Sequence, residues 1–255
     1  MSKSEITYDL KLLRQSQSKW RDSAALRAVY ENIFRDMAAR RSEGSSLELG
    51  SGIGVAAKII PELVTSDVIK TEYVARAVSA YEIPPEDWGN LMAMDTLHHL
   101  QRPMEFLASA AKALRPAGRV ILMEPAGTWW GRIFYRFFHH EPCLPAQILP
   151  PFEFPADDNG EFANMGMGQG LLKCERREFE AKLATLGLKV VAVDYRDLLA
   201  YPATGGFSNR AILPAGCLKV LMSIEQILPQ FLTRVFALRM VIVLERNSSA
   251  VLVPE

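Results

Sequence analysis

The sequence predicts an α/β protein built on a doubly wound, mostly parallel sheet, and three observations carry that reading. Short, uniformly apolar runs alternate with segments of helical periodicity through the middle of the 255-residue chain. That is the pattern of parallel strands buried on both faces and joined by crossover helices. A glycine-rich turn, "LELGSGIG", closes the first apolar run. Acidic residues (Glu48, Asp67, Asp95 and Glu124) fall at or near the carboxyl ends of successive runs, where ligands sit in such sheets.

Each element can be read in order. From Ser23 to Arg41, Leu26, Val29, Tyr30, Ile33, Phe34 and Met37 recur at helical spacing, and "RRSEGSS" breaks the helix. "SLELG" is a short strand entering the glycine turn, "VAAKIIPE" a short helix closed by Pro61, and "LVTSD" a second strand ending in Asp67. "YVARAVSA" follows almost at once. A parallel crossover normally takes a dozen or more residues, so the second helix is expected to be missing and the third strand short or displaced. "NLMAMD" is the fourth strand. "QRPMEFLASAAKALRPAGR" is a helix with Pro103 in its first turn and "RPAG" at its end. "RVILMEP" is the fifth strand, "CERREFEAKLATLGL" a helix, and "KVVAVDY" and "FALRMVIVLE" the last two strands.

Two long insertions interrupt this core. The first, residues 126–172, is aromatic, with Trp129, Trp130, Phe134, Tyr135, Phe137, Phe138, Phe152 and Phe154. It suggests an apolar substrate cavity or lid. Its "GMGQG", Gly166 to Gly170, follows no strand and reads as a flexible lid segment, not a phosphate loop. The second, 197–235, carries a helix whose polar stripe is only Lys219, Ser223 and Gln226, joined by Glu225. So wide an apolar face is expected to be buried against the first insertion, with a partner or a membrane surface as the alternatives. The expected organisation is one domain over 1–255. It comprises an N-terminal helical cap (1–44), a ligand-binding core (45–125), the first insertion (126–172), a helix and strand (173–196), the second insertion (197–235), and a last strand with its tail (236–255).

Lysine plus arginine equals aspartate plus glutamate, so no whole-molecule field favours nucleic acid, and none is expected as a partner. The first forty-one residues carry nine basic residues against five acids, the signature of a solvated helical face. Cys143, Cys174 and Cys217 form no CxxC pair; no metal site or disulfide is expected, and a reducing cytoplasm is the expected location. Neither an apolar leader core nor a run of about 18 uncharged apolar residues is present in the sequence. Contact with a membrane is therefore expected to be peripheral at most.

The glycine turn separates two cofactor classes. A dinucleotide fingerprint G-x-G-x-x-G that begins at Gly50 needs its third glycine at position 55, which is Val55. The glycines instead alternate, Gly50, Gly52 and Gly54, two residues after Glu48, an acid suited to a cationic or hydroxyl-bearing group. Asp67 at the next strand end is placed to take the two hydroxyls of a ribose. With these residues, "AMDTLHHLQRP" and "ALRPAGRVILMEP", the chain resembles class I S-adenosylmethionine-dependent methyltransferases of the small-molecule group that includes quinone-ring methyltransferases. The resemblance implies a Rossmann-like, seven-stranded, mostly parallel sheet with an antiparallel last strand, and S-adenosyl-L-methionine as cofactor. It implies that Glu48, Gly50, Ser51, Gly52 and Gly54 form the cofactor loop, that Asp67 binds the ribose and that Asp95 lies against the cofactor. Ser79 stands where such enzymes often carry an Asp beside the adenine.

All four histidines occur as two pairs, His98-His99 and His139-His140. His98 follows the fourth strand, and a base near the cofactor edge or a packed residue both suit it. His139, His140 and Glu141 could supply a base and its orienting acid, or end a helix at the surface. Trp20 and Arg21 either close over the cofactor or anchor the first helix. The expected function is methyl transfer to a small apolar or lipid-like molecule, at O, N or C. The alternatives are a non-catalytic binding protein of this fold and a nicotinamide-dependent dehydrogenase, the latter opposed by Val55.

Overall fold

The computed structural model describes residues 10–157 and 160–248; the end of the expected tail, 249–255, lies outside them. Two helices lead, α1 (Leu10–Asp22) and α2 (Ala24–Ala39). Ser23 separates them in extended conformation, and its side chain caps α2 by accepting from the Leu26 N–H. The strands are β1 (Ser46–Leu49), β2 (Leu63–Asp67), β3 (Arg76–Ala77), β4 (Trp88–Met94), β5 (Leu114–Pro125), β6 (Leu188–Arg196) and β7 (Arg239–Arg246). Between them lie α3 (Pro103–Ala113), α4 (Trp129–Phe138), the short α5 (Met167–Gln169), α6 (Arg176–Thr185), α7 (Ala200–Ala203), α8 (Ala215–Gln226) and α9 (Gln230–Phe236).

The sheet order is β3-β2-β1-β4-β5-β7-β6. Neighbours from β3 to β5 pair in parallel, and β7 runs antiparallel to both β5 and β6. Seven strands and an antiparallel last strand are as expected. The order reverses between β1 and β4, which opens a crevice beyond their carboxyl ends.

Alternation along the central strands divides the core into two layers. Val120, Leu122, Met240, Ile242 and Leu244 face α3 and α6, meeting Phe106, Leu107, Phe179 and Leu183. Ile121, Met123, Val241 and Val243 face the opposite side, where Leu26, Val29, Ile33 and Met37 of α2 pack with Leu218 and Met222 of α8. Each fully buried side chain of this size contributes about 1.5–3 kcal/mol by leaving water.

Several expectations are corrected. "VAAKIIPE" begins as a single 3-10 turn, Val55–Lys58. As expected, no helix joins β2 to β3; the chain doubles back, and β3 pairs over two residues only, Ser66 with Arg76 and Asp67 with Ala77. "RPAG" lies inside β5 rather than capping α3, with Ala117 at φ 60° and a register shift against β4. "GMGQG" is no exposed lid, because all five residues are buried. A Cβ on Gly166 would sit 2.5 Å from the Pro145 nitrogen, and one on Gly170 2.4 Å from Ile148 Cβ, so these glycines permit close packing. The apolar helix α8 packs on α2, not on the first insertion, and leaves Val220 and Ile224 exposed.

Candidate functional site

The glycine loop is built by its contacts with β2. The Ser51 N–H donates to the Ser66 carbonyl, the Ser66 N–H to Ser51 Oγ, and the Ser66 hydroxyl to the Glu48 carbonyl at 2.7 Å. Gly50, Gly52 and Gly54 all have left-handed φ, 66°, 51° and 65°, which glycine adopts without strain. A Cβ on Gly50 would lie 2.5 Å from Thr96 Oγ1, and one on Gly54 2.1 Å from the Tyr73 carbonyl oxygen. Nothing lies within 4 Å of a Cβ on Gly52. The outer two glycines serve packing, and the middle one leaves open space.

Asp67 closes the loop: its Oδ2 accepts from the Gly52 N–H at 2.9 Å and its Oδ1 from the Val68 N–H at 2.8 Å. Beneath the loop, Glu48 is buried, and its Oε2 has no hydrogen-bond partner. Burial pushes its carboxyl up to about 7; Ser51 opposes the shift and nearby Asp67 adds to it.

A cavity of about 420 Å³ opens beside the loop, within the size range of small-molecule sites. Gly50, Asp67, Ser79 and Asp95, named from the sequence, all line it. Val78, Ala80, Tyr81, Leu100 and Phe162 supply its apolar walls, and Thr96, His99 and Arg102 further polar groups. Glu48, Ser51, Gly52 and Gly54 do not line it; Ser51 and Gly52 tie the loop to β2 through Ser66 and Asp67. A second cavity, of about 490 Å³, is lined by Asp36, Arg40, Asp194 and Arg196. Its charges pair with one another, Arg40 with Asp36 and Asp194, and Arg196 with Asp36. It contains no loop residue, so the loop cavity is the candidate site.

Asp95, at φ 51°, turns the chain at the end of β4. Its Oδ1 meets Arg239 Nη2 at 2.5 Å, and Arg239 is buried with its guanidinium over the Tyr201 ring, 4.9 Å from the centroid. Trp20 is buried edge-on against Tyr30, 6.3 Å between centroids; it does not line the cavity and belongs to the anchor of α1 on α2.

The four histidines converge on Glu141. His98 Nε2 lies 3.5 Å from its Oε2, His99 Nε2 3.9 Å from Oε1, His139 Nδ1 3.9 Å from Oε2 and His140 Nε2 3.5 Å from Oε1. His98 is buried, and its Nδ1 meets the wholly buried Glu124 carboxylate at 2.7 Å. Glu124 also accepts from the backbone N–H groups of Thr96, Leu97 and His98. Burial disfavours charge on both partners, but the pair overcomes it: His98 is raised well above the ordinary histidine value and Glu124 held below the carboxylate value. Burial and neighbouring His98 keep His99 lowered. Against its own burial, Glu141 is drawn down to about 2 by His98, His99 and His139.

Sequence reasoning named His98, His139, His140 and Glu141 and missed His99, the member on the cavity wall. It also missed Glu124 and Arg239 as partners of His98 and Asp95. In the 3-10 turn after β4 the paired histidine rings lie side by side, 4.1 Å between centroids, with His98 buried and His99 on the cavity wall. The doubled histidine was the available signal.

No family model matches the chain, and no curated protein matches it. Solved structures do. One is an S-adenosylmethionine-dependent methyltransferase from Archaeoglobus fulgidus, 13% identical, with 94% of this chain and 100% of the other covered and a TM-score of 0.52. Another, from Thermotoga maritima, is described as an S-adenosylmethionine-dependent methyltransferase, possibly a histamine N-methyltransferase. It is 13% identical over 92% of this chain and 95% of its own, also at TM-score 0.52. With strand order and crevice in agreement, the chain has the class I methyltransferase fold.

Proposed function

We propose that the protein is an S-adenosylmethionine-dependent methyltransferase acting on a small molecule. One observation carries the reading: Gly50, Asp67, Ser79 and Asp95 wall a single cavity, and Glu48, two residues before Gly50, is buried with a carboxylate oxygen that has no hydrogen-bond partner. That oxygen suits the ammonium of a methionine moiety, and Asp67 suits a ribose; neither is arranged for a pyrophosphate. The residues fit the cofactor. When bound, it supplies an electrophilic methyl group on a sulfonium.

The chain's own residues bind, orient and exclude water. Glu48, Gly50, Ser51, Gly52 and Gly54 hold the loop end, Asp67 the ribose, Ser79 with Val78, Ala80 and Tyr81 the base, and Asp95 lies against the cofactor. His98, His139, His140 and Glu141, joined by His99 at the wall, form the group that the acceptor meets. An acceptor O–H or N–H would give its proton to an imidazole of this cluster that holds no other ligand, as the methyl carbon leaves the sulfur for the acceptor atom.

A small apolar or lipid-like acceptor, methylated at O, N or C, is the finer reading. Its support is the apolar wall of the loop cavity, Val78, Ala80, Leu100 and Phe162; the aromatics named from the sequence in the first insertion do not line that cavity, and Trp129, Phe137 and Phe138 are exposed on α4 instead. Peripheral contact with a membrane would deliver such an acceptor; among the described residues no helix is long and apolar enough to cross one. The three unpaired cysteines support a cytoplasmic setting.

Calorimetric titration with S-adenosylmethionine and with NAD tests the reading. Binding of the methyl donor alone is expected, with release of S-adenosylhomocysteine when phenolic, quinol or fatty acceptors are supplied. Absence of methyl-donor binding at millimolar concentration overturns it. Binding without turnover on any acceptor favours a non-catalytic protein of this fold, and turnover only on charged sugars overturns the apolar acceptor.

A further inference from the structure

We infer that His98, His99 and Glu141 form a site for a borderline divalent transition ion of the zinc class. The donor atoms of His98, His99 and Glu141 all lie within 4.8 Å of one another, and so do those of His139, His140 and Glu141. Tetrahedral bonds of 2.0–2.1 Å place neighbouring donors about 3.4 Å apart. His98 Nε2 lies 3.5 Å from Glu141 Oε2 and His99 Nε2 3.9 Å from Oε1, so a carboxylate bridging the ion through both oxygens needs only small contraction, and one using a single oxygen draws the donors in from within 4.8 Å.

The arrangement around His98 is independent support. Buried Glu124, fixed by three backbone N–H groups, engages His98 Nδ1 and leaves Nε2 directed at Glu141. A carboxylate on the far nitrogen of a histidine is the arrangement that orients metal-binding imidazoles. An ion pair with Glu141 requires one histidine, yet all four in the chain surround it. Imidazole-rich donors select zinc, cobalt, nickel or iron over magnesium or calcium.

His99 also lines the loop cavity beside Asp95 and Thr96, so an ion held there borders the space where the acceptor is proposed to lie. The expectation of no metal rested on cysteine spacing. Two adjacent histidine pairs, forty residues apart, have no ligand spacing that a sequence would reveal.

The site stands independently of the methyltransferase reading, and its test separates the two. Tag-free full-length protein, stripped with a chelator, is titrated with Zn²⁺ by calorimetry and with Co²⁺ by visible spectroscopy; S-adenosylhomocysteine affinity is measured separately. One equivalent of ion is expected, with the d–d bands of nitrogen and oxygen ligation. His99→Ala, at a side chain 46% exposed, and Glu141→Gln are each expected to weaken Zn²⁺ binding on the order of 100-fold while the protein stays folded. His140→Ala is expected to weaken it about tenfold or less. No uptake at tens of micromolar Zn²⁺ overturns the site, whatever S-adenosylhomocysteine does. So does uptake that survives His99→Ala but is lost in His139→Ala or His140→Ala, which marks an adventitious surface pair.

Discussion

Glu48→Gln probes the proposed cofactor loop through its pH dependence. Glu48 is buried with Oε2 unpartnered, and burial holds its carboxyl at about 7 against an ordinary value of 4.5. The folded state therefore holds this proton more tightly than the unfolded state. The resulting stability is fully present below about pH 4.5 and is lost as pH rises through 7. The gap between about 7 and 4.5, at about 1.4 kcal/mol per pH unit, comes to about 3 kcal/mol. Glutamine keeps the shape without the ionisation. Urea unfolding of both proteins from pH 5 to 8.5 should show the variant gaining about 2–3 kcal/mol on the wild type across that range. Saturating S-adenosylhomocysteine should shrink the difference, because its ammonium would compensate the buried carboxylate. A difference that stays constant within about 0.5 kcal/mol across the range, without ligand, would refute the reasoning.

Three further single substitutions test the same geometry. Gly54→Ala places a Cβ 2.1 Å from the Tyr73 carbonyl oxygen at φ 65°; a loss above about 2 kcal/mol in urea unfolding is expected. Gly52→Ala meets nothing within 4 Å, so it should cost only about 1–2 kcal/mol of stability while S-adenosylhomocysteine affinity falls more, measured by calorimetry. Asp95→Ala leaves the buried Arg239 guanidinium without its carboxylate, and a loss of about 3 kcal/mol is expected. The double variant Asp95→Ala/Arg239→Met should recover much of that loss in the same unfolding assay.

The parts of this molecule legible in the sequence are those that local chemistry determines. Alternate glycines after an apolar run, an acid ending the next strand, and helical spacing from Leu26 to Met37 each declare themselves within a few residues. The parts that were not legible depend on what the chain meets at a distance. "GMGQG" reads as flexible on composition, yet its glycines are required by Pro145 and Ile148 packed against them. The apolar face of α8 announced burial without naming α2 as its partner. Glu141 gathers histidines from two loops, and Glu124 orients one of them from the end of β5; no spacing encodes those contacts. The third strand was expected to be short because too few residues separate it from Asp67, a chain-length argument that the two-residue β3 bears out.

The central claim is that this loop and Asp67 hold a ribose-bearing methyl donor. The most direct test is calorimetric titration of wild type and Asp67→Ala with S-adenosylhomocysteine. Two charge-assisted hydrogen bonds, each contributing about 1.5–3 kcal/mol, predict a loss on the order of 100-fold or more in affinity. The loop N–H of Gly52 loses its acceptor as well, so unfolding measured alongside should show a loss of only about 1–2 kcal/mol. Tight wild-type binding with a large loss in the variant is the predicted result. Wild-type binding that Asp67→Ala leaves unchanged, or no binding by the wild type at all, would contradict the account.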